Sequence, residues 1–224
     1  MGWSRRAILG GLAAPLLAGC SSDSNSDTNM FVRMAGQSLD VFGGGQSITF
    51  DQVASIPYAT IGIRAGDGPQ ALLVLATRTG DTLLWTSAAH IAIETQAGRI
   101  TRTSGLPHDL SATSIVGTDP LQAGLQHLQG EATASRYADF ADRNAYQNLV
   151  LSSVATTGVE EIEILGTRLK TLHAVERGSC AALGWEFTNE YWADIRSGFI
   201  WRSSQRVHPD LFAVELEVFR PPAT

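Results

Sequence analysis

From Tyr58 onward, apolar residues either alternate with polar ones or come in short continuous runs, and glycine-bearing turns separate the runs. A period of two is the mark of a pleated strand, not of a helix. Residues 58–65 and 72–77, separated by Gly66-Asp67-Gly68-Pro69, predict the first two strands. Four segments end in glycine between runs rich in β-branched or aromatic residues: Arg78-Thr79-Gly80, Gln96-Ala97-Gly98, Thr156-Thr157-Gly158 and Arg196-Ser197-Gly198. Each predicts a three-residue hairpin with a left-handed glycine. Leu72 to Ala76 and Leu83 to Trp85 are apolar on both faces, so this hairpin is expected to be covered on both sides. Residues 212–218 alternate, so one of their faces meets water.

The pattern amounts to roughly eleven strands, more than a flat sheet comfortably holds. The expected fold is mainly β, an antiparallel meander curled into a barrel or half-barrel with short helices. One helix is expected near residues 47–54, capped by Ser47 or Thr49 and stopped before Pro57. A second is expected over residues 119–128, between the two halves, with Asp119 as cap and Pro120 in the first turn. Residues 130–144 show no clear period.

Before the strands the pattern changes. Arg5-Arg6 precedes an apolar run, Ala7 to Leu17, too short for the roughly 20 residues of a membrane-spanning helix. It ends in Leu17-Ala18-Gly19-Cys20, the pattern of a bacterial lipobox, in which the cysteine sulfur takes a diacylglycerol. Residues 1–19 therefore read as a lipoprotein signal peptide, and Ser4 to Leu9 also resembles a twin-arginine export signal. Cys20 is the predicted lipidation site. Residues 20–46 read as lipid anchor and flexible tether, opening on a stretch from Ser21 to Asn29 without an apolar residue. Residues 47–224 read as a single β-rich periplasmic domain. Stable anchoring takes two or more acyl chains. Ser21 follows the cysteine where an Asp would favour inner-membrane retention, so the expected location is the outer membrane, lipid-anchored and facing the periplasm.

Charge narrows the partners. The chain carries a net −6, and without Arg5 and Arg6 14 basic side chains face 22 acidic ones. With no Lys/Arg run, nucleic acid is not an expected partner. The expected partners are the membrane, through acyl chains on Cys20, and polysaccharide or export-machinery proteins. If Cys20 is acylated, Cys180 stands alone and reads as a small, partly buried residue.

No catalytic motif, cofactor or metal ligand set is visible. The five histidines lie at no metal-ligand spacing and read as loop or surface residues. His108-Asp109 is the one adjacent pair of interest, and Asp139 with Asp142 is a conceivable carboxylate pair. Glu160-Glu161 with Glu163 reads as an acidic strand edge that discourages pairing. The hairpin over residues 187–205 offers the candidate contact site. With Arg196-Ser197-Gly198 as its turn, Phe187, Tyr191, Ile195, Phe199 and Trp201 share the core face. Trp192 then opposes Arg202, among Glu190, Asp194 and Ser204. Trp192, Arg202 and Asp194 could meet a glycan or a partner, the indole stacking on a sugar ring. The self-contained alternative is an Arg202–Trp192 cation–π contact.

Three stretches together resemble a known family: Leu84-Trp85-Thr86-Ser87 leading to Gly98-Arg99-Ile100 and Gly105-Leu106-Pro107; Glu161 to Gly166; and Asn189-Glu190-Tyr191-Trp192-Ala193-Asp194 with Arg202-Ser203-Ser204-Gln205 and Pro209. With the lipobox, they resemble the YjbF/GfcB family of lipoproteins tied to exopolysaccharide and group 4 capsule production, across most of residues 47–221. The resemblance implies a β-rich periplasmic domain on an outer-membrane anchor, serving surface polysaccharide assembly or export. It brings no catalytic residues. The expectation is a non-enzymatic accessory protein acting through protein or glycan contacts. The alternative is a lipid- or glycan-binding carrier barrel, which requires an apolar cavity of several hundred Å³. A glycan-modifying enzyme is a third reading and requires converging carboxylates or an activated histidine.

Overall fold

Strand β1 (Thr60–Ala65) pairs on one side with β2 (Ala71–Thr79) and on the other with β12 (Val214–Arg220), and the sheet runs outward from this junction in both directions. The computed structural model describes residues 48–223. One arm continues through β3 (Thr82–Thr86) and β4 (Ala92–Gln96) to β5 (Arg99–Ser104). The other runs back from β12 through β11 (Ile200–Gln205), β10 (Trp185–Asp194), β9 (Thr167–Cys180), β8 (Ala145–Ile164) and β7 (Glu131–Phe140) to β6 (Ala112–Val116). The pairs are antiparallel, so twelve strands form one sheet with β5 and β6 at its edges. Twist curls so wide a sheet until its edges approach. The Thr103 amide donates to the Leu110 carbonyl at 2.8 Å, and the Leu110 amide to Thr103 Oγ1 at 2.9 Å. The result is the expected antiparallel meander in a nearly closed barrel, with twelve strands in place of about eleven.

Alternation decides what lies inside. Val214, Leu216 and Val218 of β12 join Ile61, Ile63, Leu73, Trp85 and Ile93 in the barrel core. Leu72 and Val74 point the other way and are covered by Ile48, Val53 and Ile56, which α1 (Phe50–Ala54) and its flanks bring onto the outer face. That is the second cover the doubly apolar run of β2 required. The α1 cap is Thr49, whose amide donates to Gln52 Oε1 at 2.7 Å. The α2 helix (Pro120–Ala123) is capped by Asp119 as expected, but it lies between β6 and β7 and not between the two arms. Gly124, at φ 93°, ends it, and a short 3-10 turn, Leu125–His127, follows. Leu121 and Leu125 pack onto Val154, Ala174, Tyr191 and Ile200 inside the barrel. The unreadable stretch 130–144 contains β7.

The turns differ from the expectation in an instructive way. Gly80-Asp81 and Ala97-Gly98 are two-residue loops, closed by the pairs Thr79–Thr82 and Gln96–Arg99. Ala97 and Gly98 have φ of 47° and 84°, the signs a type I′ hairpin needs. Thr156-Thr157-Gly158 is no turn. It is an irregularity inside β8, where the register against β9 shifts between Thr156 and Gly158. Glycine inside a strand marks such bulges as readily as turns. The actual reversal is Leu165-Gly166, at φ 47° and 79°. The last hairpin has a longer loop than three residues, because the Asp194 amide donates to the Phe199 carbonyl at 2.7 Å and the Gly198 amide to the Asp194 carbonyl at 2.9 Å. Ile195 is thereby put on the loop, exposed, and off the core face. A second bulge follows, with Trp192 opposite Arg202 but Ala193 opposite Ile200.

Two long strands extend beyond their neighbours. β7 pairs with β8 only as far as Ala155, so the acidic stretch of Glu160, Glu161 and Glu163 is indeed an edge. This far part of β8 and β9 folds over the outside of the sheet. Leu165 at its tip packs with Phe219 on the α1 cluster.

The close approach at Gly98 is open to test. A Cβ there would lie 2.5 Å from Ile200 Cγ1, whereas one at Gly80, also at positive φ, would meet nothing within 4 Å. Gly80→Ala is expected to cost about 1 kcal/mol from backbone strain alone. Gly98→Ala adds overpacking and is expected to cost about 2–4 kcal/mol. Urea denaturation of the two variants checks the difference.

Candidate functional site

Three polar or cavity-forming places stand out in the barrel: a charged cluster inside it, a cavity at one mouth and a histidine cluster at the other end.

The interior cluster is built on Glu176 of β9, which is completely buried. Its Oε1 accepts from Arg136 Nη1 at 2.8 Å, Ser152 Oγ at 2.7 Å and Arg99 Nη1 at 3.1 Å. Its Oε2 accepts from Arg99 Nη1 at 2.8 Å, Asn189 Nδ2 at 2.8 Å and the Tyr191 hydroxyl at 2.9 Å. Arg99 also forks onto the Asp119 carboxylate, with Nη2 to Oδ1 at 3.1 Å. Burial alone would raise the Glu176 pKa, but the charges of Arg99 and Arg136 outweigh it and hold the carboxyl well below its usual range. Burial pushes the Tyr191 hydroxyl up. Gln205 completes the cluster, accepting from the Ile100 amide at 3.0 Å and donating to the Gly98 carbonyl at 2.8 Å. No acceptor site on Glu176 is left for a reactant. The cluster is a set of mutually satisfied buried charges.

The mouth cavity lies where the β2–β3, β4–β5 and β10–β11 loops meet the α2 segment and Pro221 to Ala223. It encloses about 730 Å³. The bulge in β11 turns Phe199 and Trp201, edge to face at 4.8 Å, toward it. Trp85, Leu83 and Val218 form deeper wall, and Arg78, Asp81, Gln122 and Asp194 stand in its lining.

At the opposite end, His108 Nδ1 lies 2.8 Å from Asp142 Oδ2, and His208 Nε2 lies 3.1 Å from Asp142 Oδ1. His208 Nδ1 accepts from the Asp210 amide at 3.0 Å, so Nε2 carries the proton and donates to Asp142. The two rings stack at 5.0 Å, and Phe140 meets His208 edge-on at 4.9 Å. Hydrogen bonds from His108 first, and from His208, hold the Asp142 pKa below the usual value. His108, His208 and Asp210 are the residues that could hold a metal, with ligand atoms within 4.8 Å of one another among the described residues. The 17° between the ring planes sets their lone pairs side by side instead of converging on one point. Asp142 already takes one nitrogen of each ring. The arrangement fits a proton-bridged tie between three loops better than a tetrahedral metal.

His108 therefore pairs with Asp142 and not with Asp109, whose carboxylate accepts from Thr103 Oγ1 and the Gly105 and Leu106 amides within its own loop. Asp139 accepts from the Gln147 amide at 2.6 Å, so it ties β7 to the start of β8. His208 lies in a loop, as expected, but is fully buried, whereas His173 sits half-buried on β9 and is neither a loop nor a surface residue. No local signal could have joined His108 to His208, which are a hundred residues apart in the chain. Cys180, expected to be partly buried, is completely buried. Cys20 lies outside the described residues.

Trp192 and Arg202 stand opposite each other on the outer face, with the guanidinium carbon 6.0 Å from the indole centroid. The β8–β9 extension engages both. The Trp192 N–H donates to Glu160 Oε2 at 2.9 Å, and Arg202 Nη2 donates to the Glu163 carbonyl at 2.7 Å. Trp192 also stacks on His173 at 4.9 Å. Asp194 is separate from this pair. Its Oδ1 accepts from the Ser197 and Arg196 amides and the Ser197 hydroxyl, which close the hairpin loop and lower its pKa.

Residues 37–219 match the family described as group 4 capsule polysaccharide lipoprotein, GfcB and YjbF. The chain is 23% identical to the uncharacterized lipoprotein GfcB of Escherichia coli K12, covering 96% of this chain and 99% of that one. It is 25% identical to the uncharacterized lipoprotein YjbF of the same strain, covering 79% of this chain and 82% of that one. The crystal structure of the hypothetical lipoprotein YmcC from E. coli K12 has the same fold, with a TM-score of 0.75 and 20% identity over 91% of this chain and all of that one.

Two outcomes test the assigned contacts. Glu176→Gln leaves buried guanidinium charge uncompensated and is expected to cost about 3–5 kcal/mol in equilibrium unfolding. Asp142→Asn is expected to lower the melting temperature in a pH-dependent way. A carboxyl with a lowered folded pKa adds stability above its unfolded value and loses it as pH falls through the folded one. The gap between wild type and Asp142→Asn should thus be full at neutral pH and close in acid, which melting curves across pH would show.

Proposed function

As the chain belongs to the group 4 capsule polysaccharide lipoprotein family, we propose that it is a lipid-anchored, non-enzymatic accessory protein of capsule or exopolysaccharide assembly or export. The family match over residues 37–219 carries this reading. The lipobox supplies the anchor, through acyl chains on Cys20, and the outer membrane facing the periplasm is the proposed location. Residues 47–224 form the working domain, acting through contacts with polysaccharide or export-machinery proteins.

The interior chemistry supports contact over catalysis. Glu176 spends its acceptors on five side chains of the barrel, and Asp109, Asp139 and Asp194 spend theirs on backbone amides. The histidine end of the barrel joins loops, and its Asp210 pairs with Arg143 at 3.4 Å. One observation favours a second reading, a carrier barrel: the cavity of about 730 Å³ at the other mouth.

Cys20→Ser in the native host tests the anchor. The wild-type protein is expected in the outer-membrane fraction, with an intact mass showing processing and acylation at Cys20. The variant is expected to leave that fraction and to reduce surface polysaccharide. An unprocessed, unacylated wild-type chain would sink the anchor, and unchanged polysaccharide on deletion of the whole gene would sink the role.

A further inference from the structure

We infer that the mouth cavity is a binding site for one hydrocarbon tail, that of a fatty acyl group. This deepens the carrier reading and rests on it. The cavity opens at the barrel mouth and runs down to core residues, with Leu83, Trp85, Leu121, Trp201 and Val218 among those that line it. A saccharide would need hydrogen-bonding groups aimed inward and free. Most polar groups in the lining are engaged already, the buried Gln126 Oε1 being an exception. The Trp85 N–H donates to Thr95 Oγ1 at 2.9 Å, Gln122 reaches Asp81 at 3.4 Å, and Gln126 reaches the Ser197 carbonyl at 3.3 Å. Asp194 is held by its own loop. A tail asks for none of these partners and gains from every apolar contact, so the lining selects it.

The rim carries one basic group, Arg78, beside Asp81 and Asp194. Arg78 is anchored by the Gly80 carbonyl at 3.3 Å and the Ala223 carbonyl at 2.9 Å, two neutral acceptors that leave its charge at the opening. The C-terminal segment Pro221 to Ala223 closes one side of the mouth, and Arg78 holds it there. Where the tail belongs to a separate lipid, its polar head would lie beside Arg78 at the opening while the tail fills the depth. The tail has two sources. One is the acyl group on the protein's own Cys20, and the other is a separate lipid of the envelope.

The test uses the full chain carrying Cys20→Ser and the fluorescent fatty acid cis-parinaric acid. Saturable binding of one probe per chain is expected. Leu83→Trp, which fills the cavity, and Leu83→Asp, which places a charge in it, are each expected to weaken binding by about tenfold or more. Melting curves identify a variant that has lost its fold, and either variant alone suffices. If the lipidated wild-type chain in nanodiscs takes up less probe than Cys20→Ser, the protein's own acyl chain occupies the site. Equal uptake assigns it to a separate lipid. No saturable binding by folded protein, equal affinity in folded Leu83 variants, or displacement of the probe by maltoheptaose overturns the inference. None of these failures touches the anchor or the polysaccharide role, which are read from the membrane fraction and from surface polysaccharide.

Discussion

One buried carboxylate is reached from every strand of the barrel's second arm between β7 and β10, and through Arg99 it reaches the first arm as well. Glu176 ties Arg136 on β7, Ser152 on β8 and Asn189 and Tyr191 on β10 to Arg99 on β5. This matters because β5 and β6 do not zip together. The edge of β5 has backbone groups to satisfy inside the protein, and Gln205 takes two of them, the Ile100 amide and the Gly98 carbonyl. Arg99 then binds Asp119, at the start of α2, so the connection between β6 and β7 is fastened to the same point. An apolar filling of similar volume could be as stable or more so. What charges add is direction: each donor has one place to be, and the seam closes in one register.

The two ends of the barrel are left for different work. The end with the β3–β4, β5–β6, β7–β8 and β11–β12 loops is drawn together by Asp142 and its two histidines, and is packed with Phe140. The other end carries two-residue turns at β2–β3 and β4–β5, and the β10–β11 loop and the α2 segment line the lumen there without filling it. The lumen there stays open above Trp85 and Leu216. Outside, the overhanging β8–β9 ribbon clamps Trp192 and Arg202 and touches the α1 cluster, so part of the outer face is shielded while the mouth stays accessible.

Much of the fold was legible because period-two alternation and glycine placement act locally. The antiparallel meander, the curling, the caps Thr49 and Asp119 and the double cover of β2 all follow from neighbours in sequence. Where the glycine rule failed, it failed for a local reason too: Gly158 satisfies a bulge and Gly198 closes a longer loop, and three residues of context do not separate these from a tight turn. The candidate sites were less legible. The Trp192–Arg202 pairing was visible from hairpin register, but the ribbon that covers it was not. Asp142, His108 and His208 come from three separate loops and share no spacing.

By itself the sequence determined the strand-rich body and the family, because each is written in short-range pattern or ordered motifs. Only the tertiary structure decided that Arg99, Asp119 and Glu176 are partners, that the barrel keeps a cavity at one mouth, and that Trp192 is held by Glu160. Those depend on which side chains a closed, twisted sheet brings face to face, over separations of up to about a hundred residues. No pairing energy between such distant positions leaves a mark on the local alternation.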